Sequence, residues 1–232
     1  MEHNTRLLKR DRYSTVGLLR LQGQACYLKH YIAKSAVQNL GFRFAIGRGV
    51  HSFDAAASLL LAGLRVPAPR ACLRAPGGLL LLTEGVEDSR DLRALWQGPV
   101  DEEAASGYMR NAGATLAALH LAGFAHGDCK WSNLLWAREA FYLVDLEDVR
   151  RVGKPGGRSL SPHARQLRDI ARFTADAEAL AVSPDQYDNF LARYCAATQC
   201  APENLRDLIR QPLELIRQRH KRKSGISHPA LL

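Results

Sequence analysis

The residues best suited to chemistry lie in two neighbouring stretches of the sequence. The first stretch, HGDCKWSNLL at 126–135, places Asp128 five positions before Asn133. The second stretch, YLVDLEDV at 142–149, carries Asp145 at the end of an apolar run. Together they offer one carboxylate that could act as a base, with an amide and a second carboxylate that could bind metal. Such a set is what transfer of a phosphoryl group from a nucleoside triphosphate requires.

Each residue of this set has a predicted role. The charge of a triphosphate tail is neutralised by Mg²⁺, an ion that takes a few protein oxygens together with water and phosphate oxygens. Asn133 and Asp145 are therefore the predicted metal ligands. Asp128 is the predicted catalytic base, which orients the acceptor hydroxyl and takes its proton. Lys130 is close enough in sequence to steady the charge on the departing phosphoryl group.

Simpler explanations exist for these residues taken singly. Asp128 and Asn133 could cap a turn, Asp145 could end a buried strand, and His126 is expected to hold the backbone of the loop. The joint pattern of HGDxxxxN and an apolar strand ending in Asp is rarer than either part, so it favours the catalytic interpretation. The grouping resembles the catalytic loop of protein-kinase-like enzymes, with His-Gly-Asp and Asp-Leu-Glu in place of His-Arg-Asp and Asp-Phe-Gly.

A lysine that binds phosphates should precede this loop on a strand. Alternating segments from Arg6 to Tyr31, with Gly23 as a turn residue, predict two or three strands. Lys29 falls near the end of the last strand, where the kinase pattern places the lysine that holds the α- and β-phosphates. No GxGxxG loop precedes Lys29, so any cover over the phosphates is degenerate.

The helix expected after this strand lacks a residue that kinases use. The run SFDAAASLLLAGL predicts a helix that stops at Gly63. In a kinase this helix carries a glutamate that pairs with the strand lysine. The only acidic residue between Lys29 and Glu84 is Asp54. Either Asp54 takes that place with a shorter side chain, or the pair is absent.

The remaining segments predict a connector and several helices. GGLLLLTEGV at 77–86 reads as a buried strand running into a connector whose backbone would meet an adenine ring, so Glu84 is assigned to the nucleotide site. A long helix is predicted from Asp101, with acidic residues at its positive end. A linker with a short helix is expected at 32–50, and a loop rich in Gly and Pro is expected at 152–162. Further helices are predicted at 162–174, at 185–198 and in the C-terminal segment, with a kink at Pro212.

Composition limits these interpretations. A chain of 232 residues can form one sizeable core or two lobes, but hardly two independent domains. The start is charged and no apolar run is long enough to span a membrane, so a cytoplasmic protein is expected. The five cysteines are scattered without a CxxC pair, which argues against a disulfide framework and a zinc site.

The net charge of +9 is unevenly distributed, with basic ends on either side of an acidic middle. Such a distribution could favour an anionic substrate, a nucleic acid or an anionic membrane surface, and it is equally compatible with a solvated surface without a partner. The final helical segment ends in five basic residues after a stripe of Leu and Ile. These residues are Arg217, Arg219, Lys221, Arg222 and Lys223.

Several of these pieces together resemble the lipopolysaccharide core kinases of Gram-negative bacteria. The resemblance covers roughly residues 6–200 and rests on LLKRDRYSTVGLLRLQGQACYLKHY, AGLRVPAPRA, TEGVEDSRDL, HGDCKWSNLLW and YLVDLEDVRR. It implies Lys29 for the nucleotide phosphates, Asp128 as the base, and Asn133 and Asp145 for the metal. The departures from the pattern are the missing helix glutamate and the absent glycine loop.

The expected fold is therefore a two-lobed, protein-kinase-like α+β domain. Residues 1–84 form an N-terminal lobe with an antiparallel sheet and one helix, which binds the nucleotide phosphates. Residues 85–232 form a mainly helical lobe with the catalytic loop and the basic tail. The resemblance implies that ATP and Mg²⁺ are used to phosphorylate a heptose or Kdo sugar of the lipopolysaccharide core on lipid A.

Other functions stay open at this point. The chain could be a kinase of soluble small molecules such as aminoglycosides or choline, a protein kinase, or a catalytically inactive kinase-like scaffold. The intact set of Asp128, Asn133 and Asp145 argues against the scaffold. No nucleic acid partner is expected. The expected location is the cytoplasm, with peripheral attachment to the anionic surface of the inner membrane as an option.

Overall fold

The computed structural model of the protein describes residues 6–10, 14–33, 35, 41, 44, 46–153, 163–225 and 228–232. Of the segments predicted as a linker at 32–50 and a loop at 152–162, residues 34, 36–40, 42, 43, 45 and 154–162 lie outside these described residues. The chain divides into two compact units. The first unit comprises Met1–Ser89 and Tyr142–Glu147, and the second comprises Arg90–Phe141 and Asp148–Leu232.

The first unit is built on a five-stranded sheet in which neighbouring strands are antiparallel. Its order is β1-β2-β3-β5-β4. The strands are β1 (Arg6–Arg10), β2 (Ser14–Leu21), β3 (Gln24–Ile32), β4 (Pro69–Ala75) and β5 (Gly78–Glu84). Gln22 and Gly23 join β2 to β3 with φ angles of 50° and 81°, as a tight hairpin requires. The predicted antiparallel sheet and its turn at Gly23 are confirmed.

One helix, α1 (Arg48–Leu61), packs on this sheet. It begins four residues before the predicted start at Ser52, because a glycine near its start allows close approach to the sheet. A Cβ atom added at Gly49 would lie 2.3 Å from Leu79 Cδ2 and 2.9 Å from the Tyr31 ring. The buried face of α1 consists of small residues and Leu59, whereas Asp54 is exposed.

The second unit is mainly helical. Its strands are short, with β6 (Arg90–Asp91), β7 (Phe124–Ala125), β8 (Leu134–Ala137) and β10 (Arg150–Arg151), and β9 (Ala140–Leu143) follows β8. Its helices are α2 (Leu92–Trp96), α3 (Glu102–Leu121), α4 (Ala164–Ala179), α5 (Pro184–Thr198) and α6 (Pro202–Ser224). In the part of the chain that the structure describes, no helix is long and apolar enough to cross a membrane.

Local sequence signals account for where these helices begin. Asp101 caps α3 by accepting a hydrogen bond of 2.7 Å from the Ala104 N–H, so the long helix predicted from Asp101 is confirmed. Ser183 and Gln186 form a capping box at the start of α5, next to a proline at a helix N-terminus. The C-terminal helix α6 runs from Pro202 to Ser224 as one element with Pro212 inside it.

Close contact between α3 and α5 generates a testable prediction. A Cβ atom at Gly113 would lie 2.5 Å from the Phe190 carbonyl oxygen, whereas a Cβ atom at Gly107 on the same helix meets nothing within 4 Å. Gly113→Ala should lower the free energy of unfolding by about 1–2 kcal/mol, because a backbone atom must move. Gly107→Ala should raise it by about 0.5–1 kcal/mol through helix propensity. Denaturant unfolding measures both, and equal effects of the two changes would contradict this packing.

Candidate active site

The predicted catalytic loop lies between β7 and β8 in the second unit. Both oxygens of the Asp128 carboxylate are engaged by cations. Lys130 Nζ donates to Oδ2 at 2.8 Å, and Arg172 Nη2 on α4 donates to Oδ1 at 2.9 Å. Burial alone would raise the pKa of Asp128, but the hydrogen bonds and charges of Lys130 and Arg172 outweigh it and lower that pKa. Asp128 is therefore ionised at neutral pH and held in a fixed orientation.

Asn133 is buried beside Asp128 at the end of a 3₁₀ turn, Trp131–Asn133. Its amide nitrogen donates to the Asp128 carbonyl oxygen at 2.9 Å and lies 3.4 Å from Asp128 Oδ2. Because the nitrogen is used in this way, the amide oxygen is the atom suited to bind a metal ion. The structure thus brings Asp128, Lys130 and Asn133 together within one unit.

A buried aspartate on α4 holds the backbone that precedes Asp128. Asp169 is 1% exposed, and its two oxygens accept hydrogen bonds from the N–H groups of His126 at 2.6 Å and Gly127 at 2.8 Å. His120 Nε2 lies 3.4 Å from the same carboxylate, and its Nδ1 lies 2.8 Å from the Tyr194 hydroxyl. His126 itself is fully buried, in line with the structural role predicted for it.

Asp169 is one of four polar residues on α4 that face the loop and its flanks, at spacings of three and four. Gln166 donates to the carbonyl oxygens of His120 and Phe124 at 2.9 and 3.1 Å. Asp176 accepts a hydrogen bond of 2.8 Å from the Trp131 N–H. The sequence reasoning predicted a helix here but missed these residues. The signal that could have found them is the recurrence of Gln166, Asp169, Arg172 and Asp176 at helical spacing.

The glycine of His-Gly-Asp is required by close packing. Gly127 has a φ angle of 85°, which favours glycine, and an added Cβ atom would lie 2.6 Å from the Asp148 carbonyl oxygen. β7 pairs with β10 in this region, with Ala125 opposite Arg150. This pairing explains why the position next to Asp128 has no side chain.

In the first unit, Lys29 on β3 contacts two acidic residues of the stretch after β9. Lys29 Nζ lies 3.2 Å from Asp145 Oδ1 and 2.5 Å from Glu147 Oε1. Burial would lower the pKa of Lys29, but the charges and hydrogen bonds of Asp145 and Glu147 outweigh it and raise that pKa. Glu147 Oε2 also lies 3.3 Å from Arg48 Nη1, at the start of α1. Lys29 is therefore a charged, anchored lysine.

The expected alternatives were that Asp54 pairs with Lys29 or that the pair between the lysine and the helix is absent, and the described residues agree with the second. Among the residues that the structure describes, the acidic partners of Lys29 are Asp145 and Glu147, while Asp54 is exposed on α1. The physical reason is that the small residues of α1 occupy the face that packs on the sheet. Glu147 was missed although it lies two positions after Asp145. A nucleotide-binding role for Asp54 stays a prediction.

Glu84 lies at the end of β5 and ties it to the segment before β4. Its backbone N–H donates to the Ala68 carbonyl oxygen at 2.8 Å, and its carboxylate accepts from the Ala68 N–H at 3.4 Å. These contacts fix the end of the strand where an adenine ring was predicted to meet backbone groups. The assignment of Glu84 to a nucleotide site stays a prediction.

The donor set suits Mg²⁺ better than a softer metal. Across the described ranges, no group of three or more His, Cys, Asp or Glu side chains could hold a metal ion. The metal-binding roles of Asn133 and Asp145 stay predictions, and the side chain of Asp145 is 37% exposed. A few hard oxygen ligands of this kind leave room for water and phosphate oxygens, as Mg²⁺ prefers.

The first unit has an antiparallel sheet with an anchored lysine, and the helical second unit has an HGDxxxxN loop. These features are typical of the protein-kinase-like class of proteins. The structure is similar to a solved structure described as WaaP in complex with acyl carrier protein, with a TM-score of 0.66, 14% sequence identity, and coverage of 96% of this chain and 90% of that one. Residues 3–194 match the lipopolysaccharide kinase (Kdo/WaaP) family. The chain belongs to that family.

A shorter similarity links the chain to a protein of another kind. Over 90 residues, or 39% of this chain, it is 32% identical to a probable bifunctional tRNA threonylcarbamoyladenosine biosynthesis protein from Methanocorpusculum labreanum. The chain spans 16% of that protein's length.

The contact between Arg172 and Asp128 leads to a second prediction. Arg172→Gln should lower kcat for phosphoryl transfer by about tenfold, because a charge-assisted hydrogen bond that orients Asp128 is lost. The affinity for ATP should stay the same. Arg193→Gln on α5 is the matched control, since Arg193 is an exposed arginine of the same unit. Steady-state kinetics of the two variants check this, and an unchanged kcat in Arg172→Gln would show that the contact has no catalytic effect.

Proposed function

We propose that this protein is a kinase that uses ATP and Mg²⁺ to phosphorylate a heptose or Kdo hydroxyl of the lipopolysaccharide inner core. Membership of the lipopolysaccharide kinase family supports the substrate class. The observation that carries the chemistry is the ionised carboxylate of Asp128, which two cations hold and which lies on a loop fixed by α4. Such a carboxylate suits a hydroxyl acceptor.

In the proposed reaction, the acceptor hydroxyl donates a hydrogen bond to Asp128. The lowered pKa of Asp128 keeps the carboxylate ionised, so that it can accept this hydrogen bond, but it also makes Asp128 a weak base before the reaction. As the hydroxyl oxygen bonds to the γ-phosphorus, the bond from that phosphorus to the bridging oxygen breaks and ADP leaves with its electron pair. The hydroxyl proton passes to Asp128 late, when the new bond has made the oxygen acidic. Lys130, which contacts Asp128 Oδ2, steadies the charge on the transferred group.

The other predicted site residues are proposed to bind the nucleotide and its metal ion. Lys29 contacts the α- and β-phosphates, and Asn133 and Asp145 are the protein ligands of Mg²⁺. The metal ion supplies neutralisation of the phosphate charge when it is bound. Residues 1–84, including Asp54 and Glu84, are proposed as the nucleotide-binding lobe, and residues 85–232 as the lobe that carries the acceptor chemistry.

Kinases of soluble small molecules and of proteins remain the alternatives, and the family match favours the lipopolysaccharide acceptor over both. The similar WaaP structure is described as a complex with acyl carrier protein, so a protein of that kind is a candidate partner for this chain. No nucleic acid partner is proposed.

A direct test compares acceptors. Purified protein is incubated with ATP and dephosphorylated inner-core oligosaccharide, an aminoglycoside or a protein acceptor, and the release of ADP is measured with and without Mg²⁺. We expect ADP release with the oligosaccharide only, and only with Mg²⁺. Asp128→Asn should lower turnover by about two to four orders of magnitude, the range for loss of a general base, while ATP binding is retained.

Two outcomes of this experiment would contradict the proposal. If the oligosaccharide failed to stimulate ADP release, the acceptor would be wrong. If Asp128→Asn retained turnover within a few-fold of the original protein, the role of Asp128 would be wrong. Phosphorus NMR of the product identifies the sugar and the hydroxyl that carry the phosphate.

The proposed place of work is the cytoplasmic face of the inner membrane, and the tail of α6 is the segment proposed to reach it. Leu205, Ile209 and Leu213 on α6 are buried, so its apolar stripe packs within the unit. The side chain of Arg217 is also engaged within the unit. It forms an ion pair with the buried carboxylate of Glu178, with Arg217 Nε 2.9 Å from Glu178 Oε2. Exposed basic residues, including Arg219, Lys221 and Arg222, are the candidates for anionic lipids.

A membrane-binding test should change the exposed basic residues of α6 and leave Arg217, which pairs with Glu178, unchanged. Changing Arg219, Lys221, Arg222 and Lys223 to Gln, with Arg217 kept, should weaken sedimentation with anionic liposomes at low salt, since each basic residue contributes about 1 kcal/mol near such a surface. Neutral liposomes should bind neither form. Equal and salt-insensitive partitioning of the two forms would rule out an electrostatic role for the tail.

A further inference from the structure

Lys29 is a largely buried cation whose expected helix partner is missing. Its side chain is 20% exposed, and a lysine taken this far out of water needs an anionic partner to keep its charge. In the kinase pattern the partner is a glutamate on the helix after the strand. Here that helix, α1, contains no glutamate, and its one acidic residue, Asp54, is exposed.

Glu147 meets this need from a distant part of the sequence. It lies 118 positions after Lys29, yet its Oε1 is 2.5 Å from Lys29 Nζ, and its side chain is 12% exposed. A carboxylate and an ammonium group this close together and this far from water form a charge-assisted hydrogen bond, which is of the strong kind.

The second oxygen of Glu147 extends the contact to α1. Glu147 Oε2 lies 3.3 Å from Nη1 of Arg48, the first residue of that helix. The lysine and the helix are thus linked through one carboxylate, as in the kinase pattern. The difference is that the carboxylate does not belong to the helix. The helix contributes a cation, and the stretch after β9 contributes the acid.

The two acidic residues near Lys29 differ in a way that separates their roles. The side chain of Asp145 is 37% exposed and lies 3.2 Å from Lys29, whereas that of Glu147 is more buried and closer. The more exposed carboxylate is suited to a metal ion that keeps its water ligands. The buried carboxylate is suited to a permanent contact with the lysine.

We propose that Glu147 is the positioning residue that holds Lys29 for the nucleotide phosphates, and that Arg48 couples α1 to it. Glu147 takes over the part that a helix glutamate plays in the kinase pattern, and Asp54 does not. The assignment rests on the proposed function only in taking ATP as the nucleotide whose phosphates Lys29 contacts. It is independent of the acceptor.

The test measures nucleotide binding without any acceptor. Calorimetry with Mg-ATP and with adenosine is run on the unchanged protein and on Glu147→Gln, Asp54→Asn and Glu87→Gln. Glu87 is the matched control, because it forms an exposed ion pair with Arg20 in the same unit. We expect Glu147→Gln to weaken Mg-ATP binding by about tenfold, the effect of a misplaced charged contact. Its affinity for adenosine should not change, since Lys29 meets only phosphates.

Two further variants separate positioning from a general loss of structure. In a Lys29→Met background, Glu147→Gln should cause no further loss of Mg-ATP affinity, because the two residues act as a unit. Glu147→Asp keeps the charge with a shorter side chain and should give an intermediate loss. It also keeps the test valid if Glu147→Gln fails to fold, which thermal unfolding detects.

The outcomes separate this proposal from the proposed function. Unchanged Mg-ATP affinity in Glu147→Gln, equal weakening of ATP and adenosine, or strict additivity with Lys29→Met would each overturn the role of Glu147. If ATP binding depended on Glu147 but the inner core was not phosphorylated, the proposed acceptor would be wrong and the role of Glu147 would stand. If the protein phosphorylated the inner core and Glu147→Gln left Mg-ATP affinity unchanged, the proposed function would stand and the role of Glu147 would be wrong.

Discussion

The second unit depends on one buried charge, the carboxylate of Asp169. A carboxylate that is 1% exposed is costly unless its oxygens are paired, and here the partners are two consecutive backbone N–H groups of the catalytic loop. The His126 N–H is buried as well and needs an acceptor, whereas Gly127 is exposed. Removing the Asp169 carboxylate would leave the buried His126 N–H without this partner, so the contact favours the observed arrangement of the loop and α4.

The same helix face then determines the chemistry of the loop. Arg172 follows Asp169 by one turn and reaches the side chain of Asp128, and Asp176 follows by another turn and holds the Trp131 backbone. The Trp131 ring is buried against Phe173, with ring centroids 5.2 Å apart. Polar contacts set the orientation of the loop and aromatic packing sets its position. The side chain of Asp128 is therefore held in one orientation.

Sequence reasoning succeeded where the signal is local. The turn at Gly23 and the start of α3 at Asp101 follow from residues adjacent in the chain, so both could be predicted. The catalytic role of the loop was inferred from a short pattern and stays a prediction. The partner of Lys29 could not be predicted in this way, because Glu147 approaches it through folding of distant segments and shows no fixed spacing.

One misjudged boundary and one missed set of residues have tertiary causes. Helix α1 starts at Arg48 because Gly49 lets the backbone approach Leu79 and Tyr31, a contact that helix propensity does not reveal. The four residues of α4 that face the loop and its flanks were visible as a pattern, but the elements that they would meet were not known. The roles assigned to Asp128, Lys130, Asn133, Asp145 and Glu84 stay predictions for the experiments above.

The tight contact at Gly127 also constrains how the sequence could change. A side chain there would need a left-handed backbone and would place its Cβ atom 2.6 Å from the Asp148 carbonyl oxygen. A His-Arg-Asp sequence could therefore not be reached here by one substitution without strain. The backbone at Asp148, next to the pairing of β7 with β10, would have to shift as well, so neighbouring positions would have to change together.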